Sequence, residues 1–560
     1  ATLFGMVNPR AMRIIKKIKQ DKELPADPKE KIKVDEEVEK TLRIQLPSEH
    51  IKHKESSENV AAELKTVDET YPLIGINLNG KAMGLAQANI KFDTDHQTLV
   101  YTLSEPILDE YSQDLTNRTI EELHENLDME FGKLEDKVKI HEYLNKQIDR
   151  IWAQMGIAPA IENSVKMKYY IFRQTIGLDK IDAMMMDPNI EDISCDGIGL
   201  PIFIFHRNPL YSEMATNIKF LEKDELDSFC MRLAQKAKRS ISVANPLLDG
   251  SLEDGSRVQI TYGTDIARRG SNFTIRKFFK TPLSPVDLMK FGTVDAITLA
   301  YLWFAIEREK SILIAGSTAT GKTTFLNAIS LFIRPNDKIV SIEDTAELQL
   351  PHVNWLPQIT RAGFGPNKYG EIDMHKLLKS AMRQRPDYLI VGEVRGVEAE
   401  VLFQAMATGH PGLSTIHADT TAAVIDRLST PPIQLPLSVL QNLDIIVFLE
   451  KIKREGKFFR KLSKLVEIEG FDSKEKELKV NDAITWNPAT DDFEKHESFI
   501  LSQISKTHAA DASVILEEIM RRANILKWMS DSEITRFDEV SKIIKTYYVH
   551  PNAVFDLMKK

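Results

Sequence analysis

Residues 316–324 have the types and spacing needed to bind the phosphates of a nucleotide. Gly316 is separated by four residues from the run Gly321-Lys322-Thr323, which is the pattern of a phosphate-binding loop. The glycines let backbone N–H groups converge on phosphate oxygens, and a following helix adds the positive end of its dipole. We predict that Lys322 contacts the β- and γ-phosphates and that the Thr323 hydroxyl ligates Mg²⁺. The predicted nucleotide-binding residues are Gly316, Ser317, Thr318, Ala319, Thr320, Gly321, Lys322, Thr323 and Thr324.

Three glutamates follow apolar segments that are typical of buried strands. Glu343 ends the segment KIVSIE and begins the acidic run EDTAE, which also contains Glu347. Glu393 follows the apolar segment LIVG. Because the carboxyl ends of parallel strands meet in the ligand crevice of an α/β sheet, we expect these carboxylates beside the phosphates. They are predicted to divide between activating the attacking water and supporting the metal ion, with Glu393 on the metal side.

Two histidines flank a short segment that favours a strand. His410 precedes the segment LSTI and His417 follows it. We predict that both imidazoles lie near the terminal phosphate of a bound nucleotide. Cysteines and carboxylates at metal-ligand spacing do not accompany them, so the pattern does not favour a metal site built on these histidines.

Residues 290–450 have the pattern of the sheet that must hold the loop and the carboxylates. Apolar segments of strand character alternate with helical segments, which is typical of a parallel α/β sheet. A strand over 311–315 precedes the loop and a helix over 324–333 follows it. The apolar run 296–306 predicts a buried helix, because a bilayer span needs about 20 residues. The segment 280–292 contains two prolines and is predicted to be a linker.

The remaining sequence predicts a multidomain organisation. Alternating runs within 71–108 predict strands, and 115–177 predicts helices, with Thr119 and Glu122 at the spacing of a capping box. The segments IEDISC, PIFIFHR, VQITYG and NFTIRKFF predict strands around the helix DELDSFCMRLAQKAKR. The predicted divisions are a charged leader (1–70), an N-terminal α+β and helical region (71–177), an α+β domain (178–281), an α/β domain (282–450) and a carboxyl-terminal extension (451–560).

The composition excludes several classes of protein. Of 560 residues, 42% are hydrophobic and 28% are charged, which supports folded cores and argues against global disorder. The 73 basic and 82 acidic side chains give a net charge of −9, so any contact with nucleic acid or anionic lipid needs a local basic patch. Cys195 and Cys230 are the two cysteines, too few for a disulfide framework.

The leader contains one basic segment whose pattern has two interpretations. Residues 10–19 alternate isoleucine with lysine and arginine at roughly helical spacing. This pattern is compatible with an amphipathic helix that contacts anionic lipid or an acidic partner. The same pattern is also typical of a solvated, partly flexible leader. We favour this second interpretation, because so few basic residues bind membranes only weakly.

Taken in order, the motifs resemble those of the ATPases that drive secretion and type IV pilus assembly. The resemblance rests on GSTATGKT, EDTAE, LIVGEVRG and GHPGLSTIHA. Within that superfamily the chain is most similar to the archaeal branch, which drives assembly of a pilus or an archaellum. The segments that carry this likeness are IEDISCDG, DGSRVQIT, FTIRKF, ITRAGFGP and MRQRPDYLIVGEVRG. The resemblance is specific over residues 185–430.

The resemblance implies a fold and a set of residue roles. The implied fold class is α/β, a RecA-like P-loop motor domain with an α+β amino-side domain, a charged N-terminal region and a C-terminal extension. ATP and Mg²⁺ are the implied ligands, with Glu347 as general base and Glu393 as the metal-side glutamate. Arg257 and Arg276, in the amino-side domain, are implied to reach the phosphates. His410 and His417 match the histidine motif of the family.

The resemblance also implies partners and a location. Members form homo-oligomers that are hexameric rings, and they act on a polytopic membrane platform protein, with contact to membrane lipid. The implied location is cytoplasmic, peripheral at the inner face of the cell membrane, and nucleic acid is not an expected partner.

Two features differ from bacterial members of the family. Thr320 stands where many bacterial relatives have a small residue, which the loop accommodates if the side chain is exposed. A tetracysteine motif is absent from the sequence, so the zinc-dependent docking site of some secretion ATPases is not expected.

Two other functions stay open beside a motor for filament assembly or secretion. A nucleic-acid translocase, such as a conjugation motor, would need a basic or aromatic-lined channel. A nucleotide-gated assembly scaffold would bind ATP without turnover, and would have no need of a water-activating carboxylate. The acidic balance argues against the first and the acidic run EDTAE argues against the second.

Overall fold

A computed structural model describes most of the chain. The described residues are 44–45, 64–78, 81–126, 137–208, 211, 213–278, 282–361, 370–454, 457–475, 477–509 and 511–559. The first described element is a short strand, β1 (Ile44–Gln45). The predicted leader, including its basic segment 10–19, lies almost wholly outside these residues, as does the GFGP part of ITRAGFGP.

The chain divides into two compact units, each with its own sheet and core. The amino-side unit comprises Glu55–Phe279 and Arg454–Phe458. The carboxyl-side unit comprises Ala1–Lys54, Lys280–Lys453 and Phe459–Lys560. The five predicted divisions are finer than these two units and stay a prediction.

The amino-side unit is built on a nine-stranded sheet of order β2-β3-β4-β7-β6-β5-β10-β9-β8. Its strands are β2 (Asp68–Leu78), β3 (Lys81–Asp93), β4 (Thr98–Ser104), β5 (Ile190–Cys195), β6 (Pro201–His206), β7 (Glu213–Lys219), β8 (Leu247–Ser251), β9 (Arg257–Thr261) and β10 (Asn272–Arg276). Its helices are α1 (Glu110–Asn126), α2 (Lys137–Gln154), α3 (Ile161–Thr175), α4 (Asp182–Met186) and α5 (Lys223–Lys236), with a 3-10 turn at Asp179–Ile181. The strand predictions at 190–195, 201–206, 257–261 and 272–276 and the helix at 223–236 are confirmed.

The predicted capping box at Thr119 and Glu122 is wrong. Helix α1 begins nine residues earlier, at Glu110, so Thr119 is in its interior. The buried Thr119 hydroxyl donates to the carbonyl of Leu115 at 2.7 Å and accepts from the indole Nε1 of Trp152 at 3.0 Å. The hydroxyl therefore joins two helices instead of starting one.

The carboxyl-side unit is built on a second nine-stranded sheet, of order β13-β12-β14-β15-β11-β16-β17-β18-β19. Its strands are β11 (Ile312–Gly316), β12 (Ile339–Glu343), β13 (Trp355–Ile359), β14 (Tyr388–Val391), β15 (Gly412–Ile416), β16 (Ile445–Arg454), β17 (Lys457–Asp472), β18 (Glu477–Asn487), β19 (Asp492–Lys495) and β20 (Glu497–Ser498), the last pairing with β1. Strands β11 to β16 run parallel, and β17 to β19 pair antiparallel.

Helices cover both faces of this sheet. They are α6 (Pro285–Lys290), α7 (Ala296–Glu307), α8 (Lys322–Ser330), α9 (Met374–Ala381), α10 (Glu398–Ala407), α11 (Thr421–Ser429), α12 (Leu437–Leu440), α13 (Phe499–His508), α14 (Ala512–Asp531), α15 (Phe537–Val549) and α16 (Pro551–Met558). Strands β11, β12, β14 and β15 are buried at every position, as expected for parallel strands with helices on both faces. The predicted parallel α/β sheet and the buried helix at 296–306 are both confirmed.

The predicted linker at 280–292 is partly wrong, because it contains helix α6. The Ser284 hydroxyl accepts from the backbone N–H of Asp287 at 3.2 Å, and the Asp287 carboxylate accepts from the backbone N–H of Ser284 at 2.9 Å. Pro285 occupies the first turn, where its missing N–H costs nothing. The capping box and the proline together start a helix in a segment that the prolines suggested was a linker.

The carboxyl-terminal helices belong to the same core as α8, the helix that follows the phosphate-binding loop. Buried residues of α7, α8, α14 and α15 form one continuous hydrophobic cluster, and those of α9 to α12 form another on the opposite face of the sheet. Among the described residues, no helix combines the length and the apolar character needed to cross a bilayer.

Candidate active site

Four parallel strands bring the predicted site residues to one edge of the sheet. Strands β12, β14, β15 and β11 are consecutive neighbours in the sheet, so their carboxyl ends face the same side. Glu343 ends β12, Glu393 stands two residues after β14, and His417 directly follows β15. The loop that follows β11 contains Lys322, so a cation, an imidazole and carboxylates converge as predicted from the sequence.

Backbone geometry explains the glycines of the loop. Gly321 has φ = 88° and precedes helix α8, a left-handed conformation that favours glycine. A Cβ at Gly316 would lie 2.7 Å from the Thr320 hydroxyl and would overlap the carbonyl oxygen of Leu449. Ala319 also has a positive φ, of 62°. The loop is therefore a tightly constrained turn that ends on the amino end of α8.

Lys322 is folded onto the loop that it is predicted to serve. Its Nζ donates to the carbonyl oxygens of Gly316 at 2.9 Å and Ser317 at 2.8 Å, and lies 3.3 Å from His417 Nδ1. Burial lowers the pKa of Lys322, while the carboxylates of Glu393 and Asp419 oppose that shift. A buried ammonium held by neutral carbonyls is suited to exchange them for phosphate oxygens.

The expectation that Thr320 is exposed is wrong. Its side chain is 1% exposed, and its hydroxyl donates to the carbonyl of Ser317 at 2.9 Å. The extra methyl and hydroxyl are accommodated because the hydroxyl closes the turn internally. Ser317, Thr318, Ala319 and Thr324 are the exposed members of the predicted set, and Thr323 is half-buried.

Glu343 and Glu347 have different environments. Glu343 is 3% exposed, and its Oε1 accepts from the backbone N–H groups of Glu347 and Leu348, both at 3.0 Å. A Cβ on Gly392 would lie 3.2 Å from Glu343 Cγ, so this glycine leaves room for the glutamate. Glu347 is only partly buried. Glu343 therefore fixes the backbone from which Glu347 projects.

Glu393 lies between a histidine and an arginine. Its Oε2 accepts from Arg395 Nη2 at 2.5 Å, and its Oε1 lies 3.3 Å from His417 Nε2. The hydrogen bond that Arg395 donates to Glu393 is the main reason that the pKa of Arg395 is raised, and the carboxylates of Asp344 and Glu347 add to this effect. The edge thus holds alternating positive and negative groups.

These residues fit a divalent cation. Oε1 of Glu393 is buried and lacks a hydrogen-bonded partner within the described structure, since the approach of His417 falls outside hydrogen-bond geometry. The described residues contain no group of three or more His, Cys, Asp or Glu that would cage a metal. One carboxylate and the Thr323 hydroxyl match Mg²⁺, which usually takes few protein ligands and completes its shell with phosphate and water oxygens.

His417 bridges Lys322 and Glu393. Burial and the nearby Lys322 ammonium lower the pKa of His417, against the opposing effect of Glu393. The neutral ring can accept a hydrogen bond from Lys322 at Nδ1 only if its own proton is on Nε2, facing Glu393. The histidine therefore lies between the lysine of the loop and the carboxylate of Glu393.

We expect this link to fail at acid pH. Since the folded pKa of His417 is below the ordinary value of about 6.5, the unfolded chain takes up its proton first as pH falls. Its contribution to stability is then complete above that ordinary value and disappears as pH falls through the folded pKa. Thermal unfolding measured between neutral and mildly acid pH should show a larger loss for wild type than for His417→Asn, which keeps an acceptor for Lys322 but does not titrate. Equal losses in the two proteins would contradict the assignment.

His410 does not lie near His417, so the prediction that both imidazoles share one phosphate is wrong. His410 precedes β15 and His417 follows it, which places them at opposite ends of the strand. The Nδ1 atom of His410 is 3.3 Å from the Thr408 hydroxyl at the end of α10. Two residues flanking one five-residue strand are too far apart to meet, since each strand residue advances the chain by about 3.3 Å.

Arg257 and Arg276 belong to the amino-side unit and face each other there. Arg257 begins β9, Arg276 ends β10, and the two residues are directly paired across the antiparallel strands. Arg276 donates to Asp192 through Nε at 3.0 Å and Nη2 at 3.3 Å. Like charges placed directly opposite destabilise a sheet unless an anion offsets them. The structure thus confines both predicted arginines to one end of this sheet.

Two arginines at the site were not predicted from the sequence. Arg460, on β17, donates through Nε to the carbonyl of Ala319 at 3.1 Å and thereby braces the phosphate-binding loop. Arg395 pairs with Glu393. Proximity to Glu393 in the segment GEVRG was an available signal for Arg395, whereas Arg460 is 139 residues beyond Gly321 and has no local pattern.

The fold and the loop define a RecA-like nucleotide-binding domain. Counted from the strand before the loop, the six parallel strands have the order 3-2-4-5-1-6, with the loop at the carboxyl end of strand 1. Comparison with known proteins agrees. Residues 210–450 match the family model described as "Type II/IV secretion system protein".

Similar proteins include an uncharacterised protein of Methanocaldococcus jannaschii, which is 35% identical over 503 residues. That match covers 87% of this chain and 90% of the relative. The type IV secretion system protein PtlH of Bordetella pertussis is 32% identical over 272 residues, covering 42% of this chain and 79% of PtlH. A probable conjugal transfer protein TrbB of Sinorhizobium fredii is 32% identical over 249 residues, covering 43% and 72%. The chain belongs to the type II/IV secretion system protein family.

Proposed function

We propose that this chain is an ATP-hydrolysing motor that acts as a hexameric ring. It would power assembly of a type IV pilus or archaellum-like filament, or secretion, through a polytopic membrane platform protein. The observation that supports this most directly is the convergence of Lys322, Glu347, Glu393 and His417 at one edge of the sheet. Membership of the secretion family supports the same class of function.

The proposed hydrolysis assigns one role to each of the side chains at this edge. Lys322 exchanges its loop carbonyls for the β- and γ-phosphate oxygens and offsets their charge. Glu347, held by the Glu343 carboxylate beneath its backbone, orients a water and accepts its proton. Thr323 and Glu393 would hold Mg²⁺, which supplies charge neutralisation on the transferred phosphoryl group when bound. His417 lies between Lys322 and Glu393 and would hold the two side chains in their relative positions.

The amino-side unit would supply arginines to the same reaction. The paired Arg257 and Arg276 bring two guanidinium groups to one end of the amino-side sheet, and guanidinium groups bind phosphate oxygens through forked hydrogen bonds. A guanidinium that approaches only when the unit closes stabilises the transition state in that arrangement alone. Closure of the two units is then linked to the charge of the bound nucleotide, which is the basis of a mechanical cycle.

Phosphate release from the purified full chain tests the proposal. We expect ATP-dependent turnover, stimulated by vesicles that contain anionic lipid, because the motor acts peripherally at the inner face of the cell membrane. Light scattering with and without ATP measures the mass and should give six copies of the 63.7 kDa chain in the presence of nucleotide. A protein that binds ATP but never releases phosphate, with or without lipid, would be a nucleotide-gated scaffold instead.

The similarity to a conjugal transfer protein supports a second candidate, a motor for nucleic-acid transfer. Both candidates hydrolyse ATP, so turnover does not separate them. Titration with single-stranded DNA at several salt concentrations does, because phosphate contacts make affinity fall steeply with salt. We expect no salt-dependent binding, in keeping with the net charge of −9.

A further inference from the structure

Arg395 holds one oxygen of the carboxylate that is proposed to bind a divalent cation. Its Nη2 donates to Glu393 Oε2 at 2.5 Å, an ionic hydrogen bond of the strong class. The other oxygen of Glu393 is buried without a hydrogen-bonded partner in the described structure. The carboxylate that is suited to a metal ion thus already bears one positive charge.

The backbone and the side chain of Arg395 are held to very different degrees. The buried Glu398 carboxylate accepts from the N–H groups of Arg395 at 2.6 Å and Gly396 at 2.7 Å. Val394 N–H donates to the Thr415 carbonyl at 2.9 Å. The Arg395 side chain, in contrast, is 56% exposed. The backbone is therefore fixed, while the guanidinium is free to leave Glu393 at little steric cost.

The surroundings offer the guanidinium a second location. The carboxylates of Asp344 and Glu347 act on Arg395 in addition to Glu393. A guanidinium that leaves Glu393 therefore stays within a negative field beside the proposed general base. Mg²⁺ at Oε1 and a guanidinium at Oε2 would compete for the single negative charge of one carboxylate.

We propose that Arg395 is a positioning residue that holds Glu393 until the divalent cation of a nucleotide complex displaces it toward Glu347. Arrival of the cation is thereby linked to a change in charge beside the attacking water. This inference rests on the proposed function, since it requires nucleotide binding at the loop. It assigns to Arg395 a role that the motif alone does not specify.

Binding of a fluorescent ADP analogue to the full chain, titrated with Mg²⁺, tests the exchange. For Arg395→Gln we expect the Mg²⁺ concentration at half-saturation to fall about threefold to tenfold, the size of an ionic hydrogen bond reduced by exposure. For Arg395→Lys, which keeps the positive charge but not the forked donor geometry of a guanidinium, the Mg²⁺ concentration at half-saturation should fall less. Without Mg²⁺, Arg395→Gln should also unfold at a lower temperature than wild type, and Mg²⁺ with ADP should remove that difference.

Arg427→Gln is the matched control. The Arg427 guanidinium donates to the His417 carbonyl at 2.8 Å and, like Arg395, acts on Lys322 and His417. Removing it changes the charge of the site by the same amount without freeing Glu393. A shift for both variants would reduce the effect to general electrostatics and overturn the exchange.

The remaining outcomes separate the two proposals. A wild-type midpoint in Arg395→Gln and Arg395→Lys, with normal ADP binding, overturns the role of Arg395 and leaves the proposed function intact. Failure of the wild-type chain to bind the analogue at any Mg²⁺ concentration contradicts the proposed function itself. If Arg395→Gln does not fold, the Arg395→Lys titration decides alone.

Discussion

Glu347→Gln is expected to lower ATP turnover by about 10²–10⁴-fold, the usual contribution of a general base. The amide keeps the size of the side chain, but it is not a base that can take a proton from water. Binding of a fluorescent ADP analogue should stay within about threefold of wild type, because the role proposed for Glu347 is on the water and not on the phosphates. Phosphate release and analogue binding, measured on the same preparation, check both expectations.

Glu343 provides the matched control, since it differs from Glu347 by four positions and has a different contact pattern. Its Oε1 accepts two backbone N–H bonds, and a glutamine carbonyl oxygen can accept both of them. Glu343→Gln should therefore retain most of the turnover, whereas Glu343→Ala should lose it together with stability, because two N–H groups lose their acceptor. If Glu343→Gln were as inactive as Glu347→Gln, the assignment of the general base would move to Glu343.

The sequence predicted the site wherever a strand and its neighbour fix a position. The loop after β11, Glu393 after β14 and His417 after β15 all follow from one rule, that carboxyl ends of parallel strands share an edge. The same rule explains why the prediction for His410 was wrong. His410 lies before β15 and His417 lies after it, so the two imidazoles are at opposite ends of the strand and at opposite edges of the sheet.

The features that the sequence analysis missed depend on contacts that its motifs do not specify. Arg460 reaches the carbonyl of Ala319 because β17 lies beyond β16 in the sheet, and that neighbourhood is set by strand order. Thr320 is buried because its hydroxyl closes on Ser317, a contact within the loop that the motif does not encode. Helix α6 was missed because its segment contains two prolines, which suggested a linker. Pro285 directly after Ser284 is, however, also the pattern of a helix start.

The carboxyl-terminal extension packs more closely against the α/β domain than the sequence pattern indicates. The sequence presents residues after 450 as an appendage, yet α14 and α15 contribute buried residues to the same cluster as α7 and α8. Arg522 of α14 is 3% exposed and donates to both Glu307 of α7 and Glu518. The helix that follows the phosphate-binding loop thus shares its core with the extension, which links the nucleotide site to the end of the chain.

Arg522→Met is expected to lower the free energy of unfolding by about 3 kcal/mol, because it leaves Glu307 with a partly buried charge and no partner. Glu518 is less affected, since Tyr547 donates to it at 2.8 Å and Arg521 lies 3.8 Å away. Methionine keeps most of the apolar contact that the arginine stem makes with Trp303 and Tyr547, so the loss reports charge and not volume. Chemical denaturation of the full chain measures it.

The double variant Arg522→Met with Glu307→Gln separates the pair from the packing. Removing the stranded carboxylate should recover most of the lost stability, because the unpaired charge and not the missing arginine is the main cost. The exposed pair of Arg521 and Glu517 is the reference, since its side chains are 50% and 64% exposed and Arg521→Met should cost under about 1 kcal/mol. A double variant no more stable than Arg522→Met would mean that the extension is held by apolar burial alone, and that the nucleotide site and the end of the chain are joined only through their shared core.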